Sequence, residues 1–558
     1  MKDLIVSILG AAIGRARDSG QLVSTNPPIG VEAPRDATHG DVASNVALAI
    51  AKAERKSPRA IAEIIKTEIV LPPQVSEVSV AGPGFINFRM APEYWHSEMR
   101  RAASAGKEFW KPTGWEIRPG AGRKVQVEFL SANPTGPVTV GHGRNAVLGD
   151  AIARLYEAAG FDVTREYYFN DGGRQMKLLG ESVRVRYLDE HGIEAPFPPD
   201  GYQGEYIRDI ARALKAERGD QLVNVTELEV FRAAAVEAIM GDIRRTCERL
   251  KVRFDVYTNE LDLLNAGLVD AVLAALRERD LIVEKDGALW LRAEPLGLPK
   301  DAVLVRSGPD RQPTYRTPDI AYHIEKLKRG FDLIVDVFGS DHIGEHQQVV
   351  AAVKALGYDV AAIRAIIYQF VTLTRGGEKV KMSTRKATYV TLDELIDEVG
   401  VDVVRFFFLF RKSDSQLDFD LELAKKQAPE NPVFYVQYAH ARLASIFREG
   451  EKIELRLPAD LGEINLSLLG AEELDLVRRA VGLPELMTAA AEALEPHRIP
   501  FYLLELAGEF HRYYNKPTNR IIGPDRELSM ARMFMAEILK SAIAGGLELL
   551  GVSAPERM

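Results

Sequence analysis

Apolar residues at helical spacing open the chain, and segments of alternating apolar and polar residues follow them. The first segment, MKDLIVSILGAAIGRARDSG, has charged residues on both sides of a short apolar run and lacks an A-x-A-like cleavage site. It therefore predicts a folded first helix rather than a signal peptide. Further on, VSEVSVAGPGFINFRM alternates like a strand, passes through a Gly-Pro-Gly turn and alternates again. Residues 1–110 are predicted to form an N-terminal α+β domain.

The middle of the chain alternates between strands and helices. A polar stretch, KPTGWEIRPGAGRK, is typical of a linker. After it, the apolar strands KVQVEFL, FDLIVDVF and AIRAIIYQFVTL are separated by helical patterns. This alternation predicts an α/β domain over residues 111–415, built on a mostly parallel, doubly wound sheet.

Two further segments depart from that alternation. From Arg174 to about Val303 the pattern is mostly helical, with one hairpin, LIVEKDGALWLR, joined by Asp286 and Gly287. We expect a helical and hairpin insertion here. From residue 416 to 558 nearly every segment has the helical period, which predicts a C-terminal all-α helix bundle.

The composition is that of a globular protein, with 46% hydrophobic and 27% charged residues in 558. No apolar run is long enough to span a membrane, and we expect no membrane partner. The single cysteine, Cys247, excludes an intrachain disulfide and a multi-cysteine zinc site, and it fits a cytoplasmic protein. The net charge of −9 argues against coating nucleic acid by bulk electrostatics, so partners must be sought at local sites.

One loop has the composition expected near a nucleotide. SANPTGPVTVGHGRN, residues 131–145, lies between the strand KVQVEFL and an amphipathic helix, and it places Gly141, His142 and Gly143 at the helix start. Helix N-termini bind anionic phosphates, and glycines leave room for a base or phosphate. Neither G-x-G-x-x-G nor G-x-x-x-x-G-K-[ST] is present. By itself the loop fits a nucleotide site and a plain helix entry equally well.

A second loop is rich in cations. KVKMSTRKATYVTLDEL carries Lys379, Lys381, Arg385 and Lys386 before a helix predicted to begin at a Thr391 capping box. Such a loop, over residues 379–388, can neutralise a polyphosphate as charge develops in a transition state. Alone it fits a solvated basic loop as well.

Taken in order, the motifs of this chain resemble those of the class I aminoacyl-tRNA synthetases, and within them the arginyl-tRNA synthetases. The resemblance runs nearly end to end through GPGFINFR, VEFLSANPTGP, GHGRNAVLGDAIARLYEAAGFDVTREYYFND, DGYQGEYI, YRTPDIAYH, GSDHIGEH, VKMSTRKATYVTLDEL, YVQYAHAR and GVSAPERM. It implies a Rossmann-type catalytic domain, a tRNA-elbow-binding N-terminal domain and an anticodon-binding C-terminal domain.

The resemblance also implies the reaction and the ATP site. L-Arginine would attack ATP, held with Mg²⁺, to give arginyl-adenylate and pyrophosphate, and the arginyl group would pass to the terminal adenosine of tRNA-Arg. Activation would require bound tRNA, and the protein would be a monomer. The matched catalytic positions are His142, Lys381, Thr139, Arg385 and Lys386, and the matched ATP positions are Gly141, His142, Gly143, Gly339, Asp341, Met382 and Ser383.

Arginine recognition needs a carboxylate, because a guanidinium is a planar fork that one carboxylate accepts with two hydrogen bonds. The resemblance places Asp319 and Tyr315 at the guanidinium. Glu128, Ser131 and Asn133 match positions that hold the guanidinium or the α-amino and carboxylate groups, and His342 lies in the turn that approaches the amino acid. From the residues alone, Asp319 is equally well a first-turn acid of a helix.

For tRNA, the resemblance places Phe85 and Asn87 against a D-loop base. In the C-terminal domain the interleaved aromatic and cationic residues Tyr435, Tyr438, Arg442, Arg512 and Tyr514 suit a reader of single-stranded bases.

Two alternatives stay open. HIGEH, residues 342–346, matches the H-x-x-E-H pattern of zinc peptidases, although a five-residue pattern arises by chance and we expect no zinc. Thr139 and Thr384 replace the first histidine and the second lysine of the family signatures. They leave room for a relative that binds tRNA without activating arginine, whereas Glu128, Asn133 and His142 favour the enzyme.

Overall fold

A computed structural model of the chain describes residues 1–32, 34, 37–111, 120–308, 311–380 and 390–558. The chain forms two compact units. One comprises Met1–Gly106, Ile446–Val481 and Tyr513–Leu539, and the other comprises Lys107–Ser445, Gly482–Arg512 and Lys540–Met558. Within the described ranges, no helix is long and apolar enough to cross a membrane.

The N-terminal elements form an α+β arrangement, as predicted. They are α1 (Lys2–Asp18), β1 (Val31–Glu32), β2 (Val42–Ser44), α2 (Val46–Glu54), α3 (Pro58–Thr67), β3 (Val75–Ala81), β4 (Phe85–Met90) and α4 (Pro92–Ala105). The strands pair antiparallel in the order β1-β2-β4-β3. The predicted hairpin is β3 and β4. Its turn requires Gly84, whose φ is +143° and whose Cβ would lie 2.7 Å from the carbonyl carbon of Pro58.

The second unit is built on a five-stranded sheet. Its elements up to the last strand are β5 (Lys124–Glu128), α5 (Val140–Ala158), β6 (Asp162–Phe169), α6 (Gly173–Glu190), α7 (Glu205–Arg218), α8 (Glu229–Arg249), β7 (Val256–Asn259), α9 (Glu260–Asn265), α10 (Leu268–Glu278), β8 (Ile282–Lys285), β9 (Ala288–Leu291), β10 (Ala302–Val305), α11 (Arg316–Lys328), β11 (Leu333–Gly339), α12 (Ile343–Ala355) and β12 (Ile363–Tyr368). The order is β12-β11-β5-β6-β7, and every neighbouring pair is parallel. The predicted doubly wound parallel sheet is confirmed. Strand β6, the next strand in the chain after β5, lies on one side of β5, and β11 lies on its other side. The crevice between β5 and β11 is therefore the topological switch point, where sheets of this kind bind ligands.

The stretch expected to be one insertion differs from the prediction. It begins with the helices α6 to α8, but β7 then joins the main sheet next to β6. The segment VYTN is only four residues long and has no apolar alternation, so its pattern did not separate it from the helices around it.

The predicted hairpin within this stretch is confirmed. Strands β8 and β9 pair across Asp286 and Gly287, whose φ values of +52° and +74° fit a type I′ turn. Strand β10 completes a small antiparallel sheet in the order β10-β9-β8. This sheet shares an apolar core with α10, α11 and α12, centred on Leu276, Leu291, Leu304, Ile320 and Val353.

The remaining elements are mostly helical. They are β13 (Val371–Arg375), β14 (Glu378–Lys379), α13 (Leu392–Val399), α14 (Val401–Leu409), β15 (Leu417–Asp420), α15 (Leu421–Lys425), α16 (Pro432–Lys452), α17 (Ala471–Val481), α18 (Leu483–Ala493), α19 (Arg498–Tyr514) and α20 (Arg526–Leu549). The run AIRAIIYQFVTL, expected as one strand, is two, because the chain leaves the main sheet after Tyr368 and β13 pairs with β14 and β15 instead. The Thr391 capping box and the helical C-terminal part are confirmed.

Helix α5 begins within the loop of residues 131–145, called here the signature loop, and is held in place by a buried ion cluster. The guanidinium of Arg405, which is 0% exposed, donates to Asp150 Oδ2 (2.5 Å) and to the carbonyl oxygens of Leu250 (2.8 Å) and Leu550 (2.6 Å). Arg154 also donates to Asp150, at 2.6 Å. Helix α5, the signature helix, is thereby tied to the middle of α14 and to the C-terminal ends of α8 and α20.

Candidate functional site

Polar residues collect where the parallel strands end. Glu128 ends β5, Asn170 follows β6, Glu260 follows β7 and Gly339 ends β11. Carboxyl ends of parallel strands meet at one edge of the sheet, so these residues from distant parts of the sequence share one crevice.

The loop after β5 has a strained backbone. Leu130 and Ser131 have φ values of +65° and +42°, in the left-handed region that residues with side chains seldom adopt. Two hydrogen bonds of the buried Asn145 hold the loop. Its Oδ1 accepts from the Leu130 N–H (2.7 Å) and its Nδ2 donates to the Val337 carbonyl (2.9 Å). Strain held by buried contacts is typical of a site preformed for its ligand.

Thr139 and His142 lie together at the start of α5. The backbone N–H of Thr139, the N-cap residue, donates to His142 Nδ1 (3.3 Å), and Thr139 Oγ1 lies 3.2 Å from the same atom. Because Nδ1 accepts, the ring proton is on Nε2, which has no partner within the described part of the chain. Burial lowers the pKa of His142, which favours this neutral form. The neutral Nε2–H group of His142 thus belongs to the first turn of a helix, and both this group and the helix N-terminus can donate to an anionic ligand.

The two glycines of this loop differ in their surroundings. A Cβ at Gly141 would meet only Thr139 Oγ1, at 3.8 Å, so the position is open to a ligand. A Cβ at Gly143 would lie 2.6 Å from Leu392 Cδ1 and 3.1 Å from Phe408. The lack of a side chain at Gly143, which is buried, is therefore explained by packing of α5 against α13 and α14 and not by access for a nucleotide.

Residues 381–388 of the cationic loop, which include Lys381, Met382, Ser383, Thr384, Arg385 and Lys386, lie outside the described residues. The segment that follows it is joined to the signature loop, because the Leu392 N–H donates to the Val138 carbonyl (2.8 Å) and Thr139 forms an isolated bridge with Thr391.

Two carboxylates that face the crevice have no cationic partner among the described residues. Burial, and after it the nearby Glu128, raises the pKa of Asp319 well above its usual range; the charge of Lys326, which makes no ion pair with Asp319, opposes this rise, and Glu260 adds to it. Burial also raises the pKa of Glu260, whose oxygens accept from Tyr168 Oη (3.0 Å) and Asn170 Nδ2 (2.7 Å). A cation stabilises the ionised forms of two neighbouring acids, so this pair is suited to bind a guanidinium.

Glu128 differs from these two acids because its carboxylate is already held. Its Oε1 accepts from Ser131 Oγ (3.0 Å) and its Oε2 accepts from Lys326 Nζ. The half-buried Asn133 lies farther along the same loop, where its Oδ1 accepts from the Asn170 N–H (3.0 Å). The structure thus brings Glu128, Ser131 and Asn133 to the crevice shared with Asp319.

The other predicted residues near β11 and α11 are less enclosed. Tyr315 is 49% exposed. Asp341 and His342 are exposed, although the buried Gly339 packs closely enough that a Cβ there would lie 2.5 Å from Asp341 Oδ1.

The H-x-x-E-H residues do not converge. His342 Nδ1 lies 3.1 Å from Glu345, whereas His346 Nε2 lies 3.2 Å from Asp336 Oδ2, where His323 Nε2 also lies at 3.1 Å. The ligand atoms of His323, Asp336 and His346 are all within 4.8 Å of one another, so this trio has the composition of a metal site. Asp336 Oδ1, however, binds Lys326 (2.7 Å), and the arrangement is that of a buried hydrogen-bonded ion network.

The residues predicted to contact tRNA differ in exposure. In the first unit, Phe85 is half-buried, whereas Asn87 is 3% exposed in the central strand β4. Strand β4 pairs with β2 on one side and with β3 on the other, so Asn87 lies in the interior of the sheet. Tyr514, also of the first unit, is half-buried.

The second unit holds an exposed aromatic and cationic cluster. Tyr438, 41% exposed, stacks on His511 with ring centroids 5.7 Å apart, and the Arg442 guanidinium lies 5.9 Å from the Tyr438 ring. Tyr435 contacts His511 from another side at 4.8 Å, and Arg512 is exposed. This arrangement suits stacking of unpaired bases.

Sequence reasoning missed Glu260, Tyr168 and Lys326. Glu260 directly follows β7, a strand hidden in the stretch taken for an insertion. Recognition of VYTN as a sheet strand would have placed an acid at the carboxyl edge. Lys326 carried no such signal, since a lysine in a helix is ordinarily exposed.

Comparisons with known proteins identify the family. Three family models match: the arginyl tRNA synthetase N terminal domain over residues 3–90, the class I (R) tRNA synthetase catalytic domain over 113–405, and the DALR anticodon binding domain over 436–558. The chain is 48% identical to an arginine–tRNA ligase of Desulfotalea psychrophila, covering 95% of this chain and 94% of that protein. It is 46% identical to that of Salinibacter ruber, covering 99% of each.

Solved structures give the same result. The fold superposes on the Thermus thermophilus arginyl-tRNA synthetase with a TM-score of 0.74 at 25% identity, covering 99% of each chain. Because the matches extend over the whole length and include the catalytic domain, the chain belongs to the arginyl-tRNA synthetase family of class I aminoacyl-tRNA synthetases.

Proposed function

We propose that this protein activates L-arginine with ATP, releasing pyrophosphate, and transfers the arginyl group to the 3′-terminal adenosine of tRNA-Arg. The observation that carries the proposal is the pair Asp319 and Glu260, two acids without a cationic partner in the described chain, at the sheet edge where α5 also begins. Family membership supports the same reaction.

The guanidinium of arginine binds between Asp319 and Glu260 in this proposal. Burial favours the protonated form of both acids, whereas the positive charge of the guanidinium favours their ionised form. The planar N–H donors of the guanidinium can bond to both carboxylates. Glu128, already neutralised in part by Lys326, lies near Asp319, and Glu128, Ser131 and Asn133 hold the guanidinium or the α-amino and carboxylate groups of the substrate. The α-carboxylate is then directed toward the α5 N-terminus.

ATP occupies the other side of the crevice. Gly141 leaves space for adenosine, and the Nε2–H of His142 with the helix N-terminus faces the phosphates. Lys381, Arg385 and Lys386 supply cations as negative charge develops on pyrophosphate. Mg²⁺ would be bound through the phosphates of the nucleotide and would neutralise part of their charge. The proposed catalysis consists of positioning and charge stabilisation.

We also infer where the protein contacts tRNA. Phe85 contacts the tRNA elbow, and the cluster of Tyr435, Tyr438, Arg442 and Arg512 contacts the anticodon stem-loop. Tyr514, a residue of the first unit, is a separate candidate for contact with tRNA. The buried position of Asn87 disfavours its direct contact with a base. The protein acts as a monomer in the cytoplasm.

The test is ATP–pyrophosphate exchange with arginine, with and without tRNA-Arg. We expect exchange only when arginine, ATP and tRNA-Arg are all present. Absence of exchange under those conditions, with tRNA binding intact, would instead favour the non-catalytic relative suggested by Thr139 and Thr384.

A further inference from the structure

A guanidinium group is completely buried two residues after His142 on α5. Arg144 is 0% exposed, and it forms no ion pair with any residue that the structure describes. Its partners are three backbone carbonyl oxygens. Arg144 Nη1 donates to the carbonyls of Gln369 (2.5 Å) and Ser415 (3.0 Å), and Nη2 donates to the carbonyl of Lys412 (3.0 Å).

Burial of a charge without an opposite charge is costly. Burial lowers the pKa of Arg144 to about 10, against the opposing effect of Tyr368 and Asp414, so the guanidinium stays charged at neutral pH. The planar fork of a guanidinium can bind carbonyl oxygens from separate segments at the same time, which neither lysine nor an apolar side chain can do in this way. The presence of arginine here is therefore explained by the segments that its donors join.

The carbonyls bound by Arg144 lie at the start of two strands of the small sheet β14-β13-β15. Gln369 precedes β13, and the other two residues precede β15, which pairs parallel with β13. Strand β13 also pairs with β14, where the cationic loop begins, and the Val380 N–H donates to the Leu373 carbonyl (2.9 Å). Arg144 therefore fixes the strands from which the cationic loop begins.

The segment that follows the cationic loop is joined to the same helix. Thr391 forms an isolated bridge with Thr139, the N-cap residue of α5. The first turn of α5 also carries His142, whose Nε2–H group is proposed to face the phosphates of ATP. The segments on both sides of the loop are thus attached to the N-terminal part of α5, and Arg144 makes the attachment on the entry side.

We propose that Arg144 is a positioning residue that sets the start of the cationic loop against the N-terminus of α5. The inference rests on the proposed function and extends it, because it adds a residue that brings the loop cations and His142 to the same phosphates. Arg144 is buried and does not touch the substrate. Since the loop cations act as charge develops in the transition state, a misplaced loop lowers kcat more than it weakens arginine binding.

The first experiment compares Arg144→Lys with Arg154→Lys in the full-length protein, by arginine-dependent ATP–pyrophosphate exchange with tRNA-Arg. Lysine keeps the charge but has a single ammonium group in place of the fork. Arg144→Lys is expected to lower kcat by about tenfold or more and to leave the KM for arginine within about twofold. Arg154 lies on the same helix and binds Asp150 (2.6 Å) and the Lys251 carbonyl (3.0 Å), neither of which belongs to the small sheet, so its variant should change neither constant.

A double-mutant cycle separates positioning of the loop from a general structural role. Arg144→Lys is combined in turn with Lys381→Ala, Arg385→Ala and Lys386→Ala. Its effect on kcat should be at least about fivefold smaller in at least one of these variants than in the unmodified loop, because the cation that Arg144 positions is then already absent. Independent, multiplying losses in all three combinations would overturn the proposal.

An unchanged kcat in Arg144→Lys, or a KM for arginine that rises as much as kcat falls, would overturn the proposal as well. If Arg144→Lys fails to fold, Arg144→Gln takes its place in the same cycle, because its neutral amide still donates to carbonyl oxygens. Absence of exchange in the unmodified protein would instead refute the proposed function, so the two failures are distinguishable.

Discussion

At the scale of single residues, charge balance assigns different tasks to three acids in one crevice. Asp319 and Glu260 have raised pKa values and no cationic partner in the described chain, whereas Glu128 is bound to Lys326. Chemically similar side chains are separated in role by what surrounds them. In the proposed function, the substrate guanidinium is the cation that the first two lack.

Replacing Asp319 by asparagine should therefore impair arginine use specifically. Asn keeps the shape but loses a charge-assisted acceptor, so we expect kcat/KM for arginine to fall by about 10²-fold or more. The affinity for tRNA-Arg should stay within about twofold, measured by filter binding. Asp270→Asn, at an exposed position of α10, is the matched control. Equal loss of both properties would mean that Asp319 is structural.

Arginine binding should also release protons. The guanidinium favours the ionised form of Asp319, so binding lowers a pKa that is raised in the free protein. Arginine affinity should then rise with pH toward a plateau above that raised pKa, and fall by up to about tenfold per pH unit below it. Calorimetry in buffers of different ionisation enthalpy measures the released proton, and a binding enthalpy independent of the buffer would contradict the assignment.

The tautomer of His142 makes a separate prediction. Because its free donor is Nε2, glutamine, whose amide reaches a similar distance, should replace it better than asparagine, whose amide lies nearer to Nδ1. We expect kcat for exchange to be at least about tenfold higher for His142→Gln than for His142→Asn. The reverse order would mean that Nδ1 faces the phosphates.

At the scale of elements, the signature helix depends on one buried ion cluster. Burial alone would raise the pKa of Asp150, but Arg405 and Arg154 lower it, so its carboxylate is ionised inside the protein. Its partner Arg405 also caps carbonyls at the ends of α8 and α20. Removal of this guanidinium leaves several buried polar groups without partners.

Arg405→Met should therefore lower the free energy of unfolding by about 3–5 kcal/mol, the usual cost of an uncompensated buried charge. Arg154→Met should cost less, because the Arg154 side chain is 27% exposed and water can replace part of its contact with Asp150. Urea unfolding followed by circular dichroism compares the two. Equal destabilisation would show that burial of Arg405 has no special role.

Elements with a clear local sequence pattern were predicted from the sequence, whereas elements that depend on pairing with a distant strand were not. The hairpin at Asp286 and Gly287 and the Thr391 capping box depend on local chemistry, and both are present. Strand β7 and the split between β12 and β13 depend on which distant strand each segment pairs with. A local pattern carries little of that information.

At the scale of the whole molecule, the order of motifs was sufficient to recognise the family, and the full-length matches confirm it. The site was only partly predictable. Asp319, Glu128 and Asn133 follow recognisable motifs, whereas Glu260 and Lys326 become visible only when the sheet brings β5, β7 and β11 side by side. Buried ion pairs join residues about 200 positions apart in sequence, as between Glu128 and Lys326, and no spacing rule detects them.

The central claim is that two acids without a cationic partner among the described residues select a guanidinium. The most direct measurement is ATP–pyrophosphate exchange in the presence of tRNA-Arg with arginine against citrulline, which has nearly the same shape but a neutral urea group. We predict a preference for arginine of about 10⁴-fold or more, because citrulline would leave buried acids uncompensated. Comparable exchange with citrulline would contradict the assignment of Asp319 and Glu260 to the guanidinium.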